Sequence, residues 1–289
     1  MTGSPTVVPG HAARWRRLPA AFIVGGALLD GGVAVACPGE QPCVVASGSY
    51  LALPPPGWDG RTTLDATIFF HGWQSSAEAF ARDPAFTRAF ADEGVMLILP
   101  DGLDKTWAHT GSPSRARDEL AFMDQVRADM LARWPIAPDR ILVTGFSQGG
   151  SMVWDLACHR GRDYRAFVAV SGAFWEPLPQ RCDGGPVDLL HLHGTTDPVV
   201  PMSGRPIGEY WRQGDVLQGL AVLRAADGCA SEPTFDDVEA GLYCEAWSNC
   251  ASGRELRLCR HPGGHLMPEG WVHLAHGWAR SLEAGEQGG

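Results

Sequence analysis

Short runs of unbroken apolar residues alternate along this chain with longer stretches whose apolar positions recur every three or four residues. The runs are ATIFFHG (66–72), GVMLILPDG (94–102), RILVTG (140–145), AFVAVSG (166–172) and VDLLHLHG (187–194). Apolar runs this short, rich in β-branched and aromatic residues and stopped by glycine, predict strands buried on both faces. Helical spacing covers 76–92, with Ala79, Phe80, Phe86 and Phe90 on the apolar side, and 117–134, which is closed by Pro135. Further helical patterns follow RILVTG and cover 216–226 and about 271–284, and Asp118 stands where an N-cap belongs. LYCEAWSNC and ELRLCRH read as a hairpin, and LPPPGWDG (53–60) as a turn.

Buried strands that alternate with helices predict an α/β protein whose central sheet is mostly parallel, with helices on both faces. In such sheets ligands bind beyond the carboxyl ends of the strands. The residues at those ends are His71-Gly72-Trp73, Asp101-Gly102, Ser147, Ser171-Gly172, Asp197 and the HPGGH of 261–265.

Gly145-Phe146-Ser147-Gln148-Gly149 is a G-x-S-x-G segment between a strand and a helix. A serine on so tight a bend stands clear of the sheet at a helix N-terminus, where developing negative charge is favoured. A serine hydroxyl needs a base, and the base needs an acid to hold its tautomer. The order Ser, acid, His makes Asp197 the candidate acid, on the loop after VDLLHLHG; a turn-capping aspartate before Pro198 is the plainer alternative. Of ten histidines, His265 sits on a Gly-Gly loop before the last helix and is the candidate base, with His261 second. His191 and His193 are expected to pack, His273 and His276 to lie on the last helix, and His109 and His159 to sit in polar surroundings. The backbone N–H groups of Trp73 and Gln148 are the candidate oxyanion donors. Trp107 either lines the acyl or aryl pocket or packs against the scaffold. The loops at 102–116 and 173–186 are expected to shape that pocket.

Composition narrows the class. The net charge of −10 lacks the basic footprint of a nucleic-acid binder. Arginine supplies 22 of the basic residues and Lys105 is the sole lysine. No P-loop or Rossmann spacing and no clustered Cys/His spacing is found, so neither cofactor nor metal is expected. RWRR (14–17), a short apolar core and AVAC (34–37) predict a secretory signal peptide over 1–36, followed by a single catalytic domain, 37–289, secreted or periplasmic and free of the membrane after cleavage. Eight cysteines fit an oxidising compartment. Spacing does not fix their pairing; the expected set is Cys37–Cys43, Cys158–Cys182, Cys229–Cys250 and Cys244–Cys259.

HGW (71–73), LPDGLDKTW (99–107), GFSQGGSM (145–152), HGTTDPVVP (193–201) and GGH (263–265) together resemble the secreted α/β-hydrolase esterases of the polyhydroxybutyrate depolymerase and feruloyl esterase group. The resemblance spans roughly residues 45–280. It implies an α/β-hydrolase fold without a large cap domain, with Ser147 as nucleophile, Asp197 as acid and His265 as base. It also implies a small-molecule or oligomeric ester as substrate. An acyltransferase or peptidase with the same triad, or a non-catalytic exported binding protein, are the alternatives.

Overall fold

In a computed structural model of the protein, the described residues are 1–3, 37, 41–239 and 241–286. The expected signal peptide, residues 1–3 apart, lies outside them. The strands and helices follow the alternation of apolar runs and periodic stretches. In chain order they are β1 (Cys43–Val45), β2 (Gly48–Leu53), β3 (Leu64–Phe70), α1 (Ala77–Ala81), α2 (Pro84–Asp92), β4 (Met96–Pro100), α3 (Glu119–Arg133), β5 (Ile136–Phe146) and α4 (Gln148–Arg160). There follow β6 (Ala166–Val170), β7 (Leu189–Gly194), β8 (Arg205–Ile207), β9 (Trp211–Gln213), α5 (Val216–Asp227), β10 (Phe235–Glu239), β11 (Leu242–Trp247), β12 (Leu256–His261) and α6 (Trp271–Glu286).

The main sheet runs β1-β2-β4-β3-β5-β6-β7-β12-β11-β10. Its centre, β4-β3-β5-β6-β7-β12, is parallel, and antiparallel pairs close both edges. Because successive side chains of a strand point to opposite faces, each apolar run feeds two cores. Ile68, Phe70, Met96, Ile98 and Val143 pack on the face covered by α3, α4 and α5, together with Phe122, Trp154 and Leu220. Phe69, Leu97, Leu99, Val168 and Leu192 pack on the other face, with Phe86 and Phe90 of α2 and Trp271 of α6. Each such side chain contributes about 1.5–3 kcal/mol by leaving water. The runs are accordingly apolar nearly throughout, and polar side chains within them, such as Thr67, Thr144, His191 and His193, are buried with hydrogen-bond partners.

The single helix expected over 76–92 is two. Asp83 precedes a proline, which disfavours the helical backbone there, and its side chain instead caps α2 by accepting from Ala85 N and Phe86 N, with Pro84 in the first turn. Asp118 caps α3 as expected, through Ala121 N at 3.0 Å. β11 and β12 form the expected antiparallel pair. All four expected disulfides are formed. The hairpin β8–β9 was not anticipated. Among the described residues, no helix is long and apolar enough to cross a membrane.

Candidate active site

β5 enters α4 through Ser147, whose φ of 59° and ψ of −123° lie where side-chain-bearing residues are seldom found. The bend is held by Ser147 N donating to Val170 O (2.9 Å). It requires glycine at 149, because a Cβ there would run into the Phe70 carbonyl oxygen. The β3 loop also passes close by: a Cβ on Gly72 would sit 3.3 Å from Ser147 Cβ.

The loops after β7 and β12 are tied together before either reaches the serine. Thr195 N donates to His261 O (2.8 Å) and Thr196 N to Gly263 O (3.2 Å). On this joined support His265 Nδ1 lies 2.7 Å from Asp197 Oδ2 and His265 Nε2 lies 2.8 Å from Ser147 Oγ. The neutral ring that fits donates from Nδ1 to the carboxylate and accepts the hydroxyl proton at Nε2. Asp197 is 5 % exposed. Its other oxygen accepts from Val199 N and Val200 N, both at 2.8 Å. Phe146 packs against the His265 ring, centroids 4.8 Å apart.

Behind the acid stands a buried chain of donors. Trp154 Nε1 donates to His191 Nδ1 (3.3 Å), His191 Nε2 to His193 Nδ1 (2.8 Å), and His193 Nε2 to Val200 O (2.7 Å). The chain closes only if both rings are neutral, and burial holds both well toward that form by lowering their pKa values. His191 and His193 pack, as their strand position suggested, and they pin the acid loop.

On the other side of the serine, His71 joins two loops. Its Nδ1 donates to Gly72 O (2.8 Å) while Nε2 accepts from Gly102 N (2.9 Å). Burial lowers its pKa, in keeping with the neutral ring these bonds require. The backbone N–H groups of Trp73 and Gln148 have no acceptor among the described residues, and both residues line the same cavity as Ser147. The Gln148 carboxamide donates to Thr106 Oγ1 at 2.8 Å. Exposed Lys105 lies next to Thr106, with its carbonyl accepting from Gln74 N (2.8 Å).

The cavity over Ser147 measures about 590 Å³. Pro113, Ser114 and Trp175 bring to it the two loops expected to shape it, but Arg205, Ile207 and Gln213 of the β8–β9 hairpin also line it. Trp107 does not. It is fully buried, gives its Nε1–H to His71 O (2.8 Å) and meets Phe70 edge-on at 5.1 Å. A large ring whose single donor has a backbone acceptor beneath the loop packs there with nothing left unpaired, so Trp107 supports the β3 loop and is not a pocket wall. His261 is likewise buried, its Nδ1 accepting from Gly263 N (3.1 Å), and it makes no hydrogen bond to Ser147. His109, expected in polar surroundings, is buried and paired with Asp155 (2.8 Å).

A mostly parallel sheet with helices on both faces, a serine elbow after β5, an acid loop after β7 and a histidine loop after the last central strand decide the architecture. The chain has the α/β-hydrolase fold. A phospholipase/carboxylesterase family model matches residues 118–207, which include Ser147 and Asp197. Feruloyl esterase C of Emericella nidulans is 34% identical over 118 residues, 40% of this chain and 40% of that protein. Feruloyl esterase B of Piromyces equi is 23% identical over 235 residues, 75% of this chain and 42% of that protein. The chain thus spans about two fifths of the length of these curated relatives. A phospholipase/carboxylesterase structure from Dyadobacter fermentans superposes with a TM-score of 0.55 at 15% identity, covering 83% of this chain and all of that one, and shares the fold.

Proposed function

We propose that this α/β-hydrolase is an exported serine carboxylesterase acting on aryl esters of the feruloyl type or on hydroxybutyrate-type oligomers through an acyl-enzyme. The observation that carries the reading is the continuous hydrogen-bonded path Asp197–His265–Ser147, with its serine at the floor of a cavity. His265 takes the Ser147 proton as Oγ attacks the ester carbonyl, and the imidazolium is steadied by Asp197. The oxyanion is received by the N–H groups of Trp73 and Gln148. The alcohol leaves with the proton from His265, and water activated by the same ring then releases the acid. The sequence likeness to feruloyl esterases supports the aryl part of the proposal. The four disulfides and the N-terminal pattern support export.

The test is a panel of feruloyl, hydroxybutyrate-oligomer and acetyl-sugar esters run beside Ser147→Ala, with labelling by a fluorophosphonate. Turnover of at least one ester class, abolished in the variant together with the covalent adduct, is expected. A wild-type protein that takes no label and turns over no ester refutes the reading.

A further inference from the structure

The β8–β9 hairpin is inserted between the acid loop and α5, and it is held firmly over the cavity. Gly214 N donates to Phe174 O (2.8 Å), Glu176 N to Arg212 O (2.9 Å) and Val216 N to Met202 O (2.8 Å). An Arg212–Glu176 ion pair at 3.0 Å adds a side-chain strap. In its register Arg205 faces Gln213 and Ile207 faces Trp211, and directly opposed residues share one face of a strand pair. Arg205, Ile207 and Gln213 therefore point together into the cavity that contains Ser147.

Among the residues lining that cavity, Arg205 is the one that carries a charge. It is half-buried. Its Nε donates to Gln213 Oε1 at 3.1 Å, and among the described residues no carboxylate pairs with it and neither terminal amino group has an acceptor. One edge of the guanidinium is thus fixed and its outer fork is unused. A planar fork with two parallel donors matches a carboxylate. The surroundings sharpen the point: a chain of net charge −10 presents a cation beside its reactive serine.

Resting on the ester-hydrolase reading above, we propose that Arg205 is a specificity residue and that the cavity takes esters bearing a carboxylate. A cavity of about 590 Å³ has room for the ester and such a group together, since sites of roughly 300–1,000 Å³ hold drug-sized ligands. The carboxylate stands on either the acyl or the alcohol half of the ester.

The test compares kcat/KM for p-nitrophenyl hemiglutarate with p-nitrophenyl pentanoate, which places the carboxylate on the acyl half, and for 4-carboxyphenyl acetate with 4-carbamoylphenyl acetate, which places it on the alcohol half. In the wild-type protein at least one carboxylate ester is processed as efficiently as its neutral counterpart, despite the chain's negative charge, and its advantage shrinks as salt rises. In Arg205→Gln the ratio of carboxylate to neutral ester drops about 30-fold for that pair, and Arg205→Lys recovers part of it. A wild-type penalty of ten-fold or more for both carboxylate esters, or a ratio unmoved in a folded Arg205→Gln, overturns the assignment of Arg205 while leaving the hydrolase reading intact. Failure of wild-type protein on every ester, with no fluorophosphonate adduct on Ser147, overturns both.

Discussion

β7 meets buried aspartates at both its ends, and their surroundings differ in kind. Beyond its carboxyl end three N–H donors converge on Asp197: Val199 N, Val200 N and His265 Nδ1. At its amino end lie Asp188 and Asp227, 4 % and 2 % exposed. Asp188 collects Arg165 (3.2 Å), Arg254 (2.8 Å) and Glu255 N (2.8 Å). Asp227 is left with Val187 N, shared between its two oxygens at 3.3 and 3.4 Å. Burial pushes the Asp227 carboxyl up to about 7, and the neighbouring Asp188 charge adds to the rise. The contrast teaches that depth alone does not decide what a buried carboxyl group does. The number and direction of donors do: Asp197 and Asp188 each collect three, whereas Asp227 has one N–H to share between its two oxygens.

The sharpest break of this contrast is Asp197→Asn. The amide keeps one acceptor oxygen for the turn but offers no second acceptor to His265 Nδ1, so the ring loses the tautomer that receives the serine proton. Steady-state ester hydrolysis is expected to show kcat lower by about 10⁴-fold, with a melting temperature close to wild type. A fall below ten-fold would mean that Asp197 serves the loop alone.

Asp227→Asn tests the opposite end of the strand and carries a smaller effect of opposite sign. The folded chain holds the Asp227 proton up to about pH 7, whereas the unfolded chain releases it near pH 4. Between those values the folded state binds more protons, so wild-type stability declines as pH rises through the window. Urea unfolding at pH 4 and pH 8 is expected to show the gap between variant and wild type widening by about 2 kcal/mol in favour of the variant, after allowance for partial solvation. Ester turnover is expected to be unchanged. The smallest effect belongs to an aspartate with a purely local duty: Asp118→Ala removes the cap on α3 and lowers stability to urea at pH 7 by about 1 kcal/mol.

The legible part of this molecule is the part written in contiguous residues. The five apolar runs became strands of the parallel sheet because burial on both faces leaves few polar positions to obscure them, and GFSQG was readable because strand, bend and helix follow without a gap. Asp197 and His265 were reachable through chain order. The β8–β9 hairpin was not: RPI and WRQ are three residues each, too short for any alternation to show, and their place is set by the 174–176 segment that β9 and Gly214 bond to. Trp107 left both of its readings open, since the deciding fact is a backbone carbonyl 36 positions away at His71. His109 was obscured in the same way by a partner on α4. Pairings between distant segments, unlike periodicity, leave no mark on the residues nearby.

Lys105 carries a practical consequence. With arginine at the 22 other basic positions, it presents the chain's one side-chain amine, in the open, on the loop that also supplies Thr106 to the cavity rim. Succinimidyl dyes and aldehyde-activated resins, which ordinarily decorate many side chains, will find one here besides the terminal amine, and it stands next to the cavity-lining Thr106. A fluorophore tethered there can report occupancy directly, whereas immobilisation by the same chemistry will turn the entrance toward the bead.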